Sequence, residues 1–474
     1  MTTMPLCDVA PEITLVVGSV VILIFAMIAP RRLQAGAMML ALGTVVIAIA
    51  LTARLQGETQ RLTFAGTYAV DGVALWGKLL ILGVTAGVAA CSVEWFADDP
   101  RHGEFYALLL LASLGAIAMA GAADLSALLL AVLLSSSTGA VLIAYHRRSK
   151  RAGEAALKFY LLGALTNAGM TFGVVLLFGL AGTTSFAAMR LPLVAADPLP
   201  LVVGMGLCVL GLTFKLGAVP AHPWLPDAAE GAPTPVAAFV AAAPKIGALI
   251  ALARLLAILP EAASGWRPVI AVVAALTMTL GNLAALWQDD VRRLLGWSAV
   301  SQAGYGLMGV VAIGRSALAL PSLLYFLLAY ALGTLAAFGA VVILRGESGR
   351  GRYAGLAMTR PWLAMAMLVS LLSFIGVPPL AGFTAKLALF GATLEAGYGW
   401  LALVAIVNTA ISVAYYVRVI APMFLDASEG ALPVLRGTAA RVIVASAALV
   451  TVLVGIFGSS VFRSFQSALL LPGS

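Results

Sequence analysis

The chain has 474 residues, 62% of them hydrophobic and only 10% charged, and its mean hydropathy of +1.05 excludes a water-soluble globular protein. Apolar runs recur about every 30 residues, each near the roughly 20 that a helix needs to cross about 30 Å of hydrocarbon, which excludes a barrel of short alternating strands. The net charge of +8 sits in short loops between those runs and forms no soluble basic patch, which argues against nucleic acid as a partner and for membrane lipid.

In chain order, spans are expected at 13 to 30, 36 to 53, 72 to 92, 105 to 121, 124 to 145, 157 to 181 and 199 to 221, then at 232 to 258, 268 to 287, 294 to 313, 317 to 344, 361 to 390, 399 to 423 and 440 to 462. The first ends in Arg31-Arg32 without an A-x-A site and reads as a span, not a signal peptide. Basic clusters follow spans one (Arg31, Arg32), five (Arg147, Arg148, Lys150, Arg151), nine (Arg292, Arg293) and eleven (Arg345, Arg350, Arg352, Arg360). All are odd-numbered, so the positive-inside rule puts both termini on the periplasmic side.

Two Pro/Gly-rich segments interrupt the apolar runs. One carries Pro220, Pro223, Pro226, Pro233 and Pro235; the other carries Pro378, Pro379 and Gly382. Unpaired backbone at that depth is tolerated only inside protein or beside water, and paired interruptions five spans apart are a signature of inverted repeats. The expected fold class is all-α: a polytopic membrane protein of about fourteen transmembrane helices, with two inverted five-helix repeats and broken helices seven and twelve. The expected divisions are 1-104 (helices one to three), 105-258 (first repeat), 259-423 (second repeat) and 424-474 (helix fourteen).

Lys215, Lys245 and Lys386 have apolar neighbours on both sides. An ammonium in hydrocarbon is costly, so such a group pairs, sits beside water or gives up its proton, and a lysine that titrates can carry protons. The alternatives are snorkelling to the interface and anchoring of a broken helix through freed carbonyls. Three lysines at mid-span, two beside helix breaks, point to proton transfer. His222, in the first break, is a candidate relay or a cap for open carbonyls. Asp227 and Glu230 are expected to be capping or loop carboxylates, and Lys78 to snorkel. Gln302 and Tyr305 are secondary candidates, as holders of water or as interhelical hydrogen-bond formers. Cys7, Cys91 and Cys208 have no metal spacing and read as apolar fillers, and no nucleotide-binding fingerprint occurs.

The strings GEFYALLLLASLGAIAMAGAADLSALLL, AVPAHPWLPDAAEGAPTPVAAFVAAAPKIGA, DDVRRLLGWSAVSQAGY, EAALKFYLLGAL and GVPPLAGFTAK together resemble the subunit N family of NADH-quinone oxidoreductase, respiratory complex I, among the antiporter-like membrane subunits. The resemblance covers nearly the whole chain. It implies a proton-translocating membrane-arm subunit of a redox-driven translocase in a bacterial inner membrane, beside other membrane-arm subunits. NADH, FMN, iron-sulfur clusters and quinone would then lie in partner chains, with no cofactor or metal in this one. It matches Lys215, Lys245 and Lys386 to the lysines of helices seven, eight and twelve, and His222 to the histidine of the first break. Two departures stand out: Leu133 falls where the family places a glutamate beside the helix-seven lysine, and Gln302 falls where many relatives place histidine. The alternatives are a subunit of an Mrp-type cation/proton antiporter, and a structural subunit whose channel is impaired at Leu133.

Overall fold

The computed structural model describes residues 5–30, 33–97, 99, 102–146, 149–261, 265–427, 434–435 and 437–471. Arg31, Arg32, Arg147 and Arg148, on which part of the orientation argument rests, lie outside them. In chain order the helices that frame the protein are α1 (Ala10–Ile28), α2 (Gly36–Leu55), α3 (Gly72–Trp95), α4 (Gly103–Gly121), α5 (Leu125–Ile143), α6 (Lys150–Ala181), α7 (Phe186–Val194), α8 (Pro198–Leu216), α9 (Trp224–Gly231) and α10 (Thr234–Ile258). They continue with α11 (Trp266–Ala285), α12 (Val291–Ala312), α13 (Ala319–Ile343), α14 (Pro361–Ile375), α15 (Ala381–Glu395), α16 (Gly399–Leu425), α17 (Ala439–Ile456) and α18 (Gly458–Gln466).

Among the described residues, twelve helices are long and apolar enough to cross a membrane. The runs expected at 294 to 313 and 361 to 390 are also helical, as α12 and as α14 with α15, but fall outside those twelve: α12 is more polar, and α14 and α15 are each 15 residues long. The fold is not purely helical. A small antiparallel hairpin, β1 (Arg61–Thr63) paired with β2 (Tyr68–Val70), joins α2 to α3. The apolar-run criterion passes over it because each strand has only three residues.

Burial follows position in the bundle. α10 is enclosed along nearly its whole length and α13 is almost as deeply buried. By contrast, α1, α2, α6 and α16 bury one stripe and turn leucines, valines and isoleucines outward, as lipid-facing or subunit-facing helices do. The C-terminal segment after α18 returns to the start of α3. There Asp71 caps Ala74 N, pairs with the fully buried Arg254 of α10, and accepts a hydrogen bond from Leu471 N at 2.8 Å. Arg254 also donates to the carbonyls of Leu471 and Ala120.

Both interruptions are built alike. α8 ends at Gly217 with φ +64, and α14 ends at Gly376 with φ +93. This left-handed backbone closes a helix and favours glycine. The freed backbone groups then find side-chain partners. In the first break Trp224 Nε1 donates to Phe214 O (2.9 Å) and Thr277 Oγ1 accepts from Val219 N (3.1 Å). In the second, Ser373 Oγ accepts from Gly382 N (3.2 Å) and Gln302 Nε2 donates to Phe374 O (3.3 Å).

Candidate functional site

Lys215, Lys245 and Lys386 are 2%, 1% and 4% exposed, so none reaches the surface of the chain. Among the described residues none of the three forms an ion pair with a carboxylate. A buried cation without a counterion is held by dipoles and rings, and all three sites are built that way.

Lys215 lies in the last turn of α8. Its Nζ faces Ser135 Oγ of α5 at 3.4 Å and stands 5.5 and 5.6 Å from the ring centres of Phe159 and Phe214. Leu133 does not point into this site; it is 37% exposed on the outer face of α5, whereas Ser135 is buried. Asp124 is occupied elsewhere, capping α5 through Ser126 N and Ala127 N and accepting from Thr184 Oγ1.

Lys245 sits in the middle of α10. Its Nζ donates to Ala299 O of α12 (2.5 Å) and lies 3.1 Å from Tyr330 OH of α13, which in turn donates to Ala241 O (2.9 Å). Lys386, on α15, reaches back across the second break to Ile375 O (3.1 Å) and approaches Thr409 Oγ1 of α16 (3.4 Å). Its Nζ lies 4.1 Å from the Tyr305 ring centre, and Tyr305 OH meets the same Thr409 hydroxyl at 2.9 Å. The expected carbonyl-anchoring role is thus real for Lys386, which holds the last carbonyl of α14.

A small internal cavity, with room for about one water molecule, lies between the second and third lysines. Gln302, Tyr330, Ser373, Phe374, Gly382 and Lys386 line it. It brings the tyrosine that touches Lys245 and the Lys386 side chain to a common, mostly apolar space. Of the two secondary candidates, Gln302 lines this cavity and Tyr305 faces Lys386 through its ring. His222 is half-buried beside Trp297, with ring centres 5.7 Å apart, and no hydrogen bond joins it to any of the three lysines among the described residues.

Three expectations need correction. Lys78 does not snorkel: it is fully buried and forms an ion pair with Glu12 Oε1 at 2.7 Å. Asp227 and Glu230 are more than caps, since both pair with Arg293 of α12 (2.6 and 2.9 Å) and Asp227 also pairs with Lys158 of α6 (2.9 Å). Arg292 and Arg293 are not free loop charges either. They lie in the first turn of α12, and Arg292 donates to the carbonyls of Ala229 and Ala232 at the end of α9.

A sequence model of the NADH:quinone oxidoreductase/Mrp antiporter transmembrane family matches residues 122–412. NADH-quinone oxidoreductase subunit N 1 of Streptomyces griseus is 43% identical over 463 residues, 97% of each chain. The chain belongs to the subunit N family of NADH-quinone oxidoreductase. Subunit N of Mycobacterium sp. strain JLS is 41% identical over 91% of this chain and 92% of its own. A chain of respiratory complex I from Thermus thermophilus, solved with bound aureothin, superposes with a TM-score of 0.83 at 31% identity, covering 97% of this chain and all of that one. A chain of the Mrp complex from Dietzia sp. shares the fold, with a TM-score of 0.86 at 23% identity over 98% of this chain and 97% of that one.

Within this subunit N chain, reading by residue missed Tyr330 and Thr409. Each is a hydroxyl in a run that otherwise reads as apolar span, and hydroxyls there commonly serve as interhelical glue. The usable signal is placement: each lies on a helix packed against a buried lysine, which only the fold displays.

Proposed function

We propose that this chain is the proton-translocating subunit N of a bacterial NADH-quinone oxidoreductase, and that Lys215, His222, Lys245 and Lys386 hold and pass the protons. Quinone reduction in partner subunits drives the protonation changes. NADH, FMN, iron-sulfur clusters and quinone belong to those partners, and the work of this chain is protonic. Its neighbours are other membrane-arm subunits and lipid, in the inner membrane, with both termini on the periplasmic side.

The observation that carries the reading is the set of buried, carboxylate-free lysines, the third of which lines a small cavity together with the tyrosine that touches the second. With no carboxylate fixing its charge, each lysine can be loaded or unloaded by a change of charge nearby. Tyr330 and Thr409 offer hydroxyls that both donate and accept, as a relay requires. At the Lys215 end, His222 supplies the imidazole through which the first break exchanges protons with Lys245. Counting α12 and the α14–α15 pair with the twelve long helices gives fourteen spans. Residues 105-258 and 259-423 form the two inverted repeats, with breaks in spans seven and twelve. The matched glycine ends of α8 and α14 support that division.

The test is Lys245→Met in the whole complex, reconstituted in vesicles. The methionine keeps the apolar stem and removes the titratable nitrogen. Assembly should survive, while proton transfer through the line of the three lysines falls at least ten-fold, about 1.4 kcal/mol or more in the transfer barrier. Unchanged pumping in a fully assembled complex would overturn the reading.

A further inference from the structure

Polar groups also line a second, separate column, between α3 and α4, outside the 122–412 region that the family model matches. On α3, Lys78, Thr85 and Ser92 recur at intervals of seven, so they share one face to within about 20° per repeat. All three are fully buried. On the antiparallel α4, Tyr106, Ser113 and Ala120 recur at the same interval. Thr85 Oγ1 and Ser113 Oγ are 2.6 Å apart, which fixes the register. That register sets Ser92 level with Tyr106, and Lys78 level with Ala120, whose carbonyl takes a hydrogen bond from Arg254. Successive layers are about 10 Å apart along the axis, at seven residues of 1.5 Å each.

Both ends of the column carry titratable groups. At one end the buried Tyr106 ring lies beside His102, with centres 6.2 Å apart, and its hydroxyl has no partner among the described residues. At the other, Lys78 Nζ is 2.7 Å from Glu12 Oε1, which also accepts from Tyr68 OH at 2.5 Å. Glu12 Oε2 is buried and without a partner among the described residues. A pair kept only to tie α1 to α3 needs neither an open carboxylate oxygen nor hydroxyls stacked below it, and apolar residues serve that purpose as well.

We propose that the α3–α4 interface is a second proton-conducting column, running from His102 and Tyr106 through Ser113 and Thr85 to Lys78 and Glu12, with water bridging its layers. In the transfer step an N–H bond of Lys78 breaks and an O–H bond of Glu12 forms. The ion pair becomes a neutral pair, with no net charge created in the apolar interior. Glu12 then loses its proton through Oε2 to water at the end of the column, and the Lys78 amine takes the next proton from the column, so one proton enters and one leaves. The column uses none of Lys215, Lys245 or Lys386.

The test measures protons moved per quinone reduced by the complete complex in vesicles, for Thr85→Val, Lys78→Met, and Glu12→Gln combined with Lys78→Met. Thr85→Val keeps shape and orphans nothing, because Ser113 Oγ still donates to Leu109 O. The expected result is a lower proton-to-quinone ratio at unchanged quinone reduction, by one proton per turnover. The loss should add to that of Lys245→Met, which keeps failure of this column distinct from failure of the central line. Infrared difference spectra under turnover should contain a carboxylic-acid band that Glu12→Gln removes. An unchanged ratio in assembled Thr85→Val and in the double variant would overturn the proposal, as would the lack of a Glu12 band. If Lys78→Met alone does not assemble, Thr85→Val and the spectrum decide.

Discussion

Lys215 and Lys386 each place a side-chain nitrogen beside the carbonyl end of a half-helix, Lys215 in the last turn of α8 and Lys386 against the last carbonyl of α14. That end of the helix dipole favours positive charge in both cases. Their other neighbours differ. Lys386 has a carbonyl, a threonine, a tyrosine face and a cavity with room for about one water. Lys215 has one distant serine hydroxyl and two phenylalanine rings. The lesson is that similar backbone breaks do not make similar surroundings: a carbonyl, a hydroxyl and a ring meet Lys386, whereas mainly rings meet Lys215. What faces Lys215 from α5 is Ser135, whereas Leu133 faces outward.

The comparison can be broken most sharply at Lys386. Lys386→Ala removes a buried titratable nitrogen and frees the Ile375 carbonyl; proton transfer through the line of the three lysines should fall at least ten-fold, and the complex should lose about 1 to 3 kcal/mol of thermal stability. Equal losses from Lys215→Ala and Lys386→Ala in stability would contradict the contrast, since Lys215 holds no backbone carbonyl. Tyr330→Phe comes next. It takes away the hydroxyl between Lys245 and Ala241 O and should slow pumping several-fold with quinone binding intact.

The fold was legible where apolar length decides it. Runs of about 20 residues announced α1 to α6 and most later helices, while the three-residue strands β1 and β2 carried no such signal. The lysines were legible because charge is rare in apolar sequence. Their partners were not: Glu12 is 66 residues from Lys78 and Asp227 is 66 from Arg293, so the pairs form only when helices pack. Tyr330 and Thr409 hid for another reason, being ordinary inside apolar runs. The outward turn of Leu133 depends on how α5 rotates against α6 and α8, which composition does not encode.

Smaller effects sharpen the same contrast. Ser135→Ala and Thr409→Val each delete one hydroxyl, worth about 0.5 to 1.5 kcal/mol. Pumping should suffer more from Ser135→Ala, because Lys215 then keeps no side-chain hydrogen bond, whereas Lys386 keeps Ile375 O. The smallest effect belongs to Glu261, outside the spans, which joins Arg267 to Arg315. The hydrogen bond from Arg267, with the charges of Arg267 and Arg315, holds its carboxyl below the usual carboxylate range against partial burial. Its contribution is therefore present at neutral pH and lost as pH falls through the depressed value. Glu261→Gln should cost no more than about 1 kcal/mol at pH 7, with the difference from the native chain vanishing in acid.

The most direct measurement is an experimental density map of the assembled membrane arm, fine enough to place water around Tyr330, Gln302 and Lys386. An ordered water touching both Tyr330 OH and Lys386 Nζ is the result expected of a proton line. Continuous dry packing between these groups would contradict it and leave the lysines as structural props.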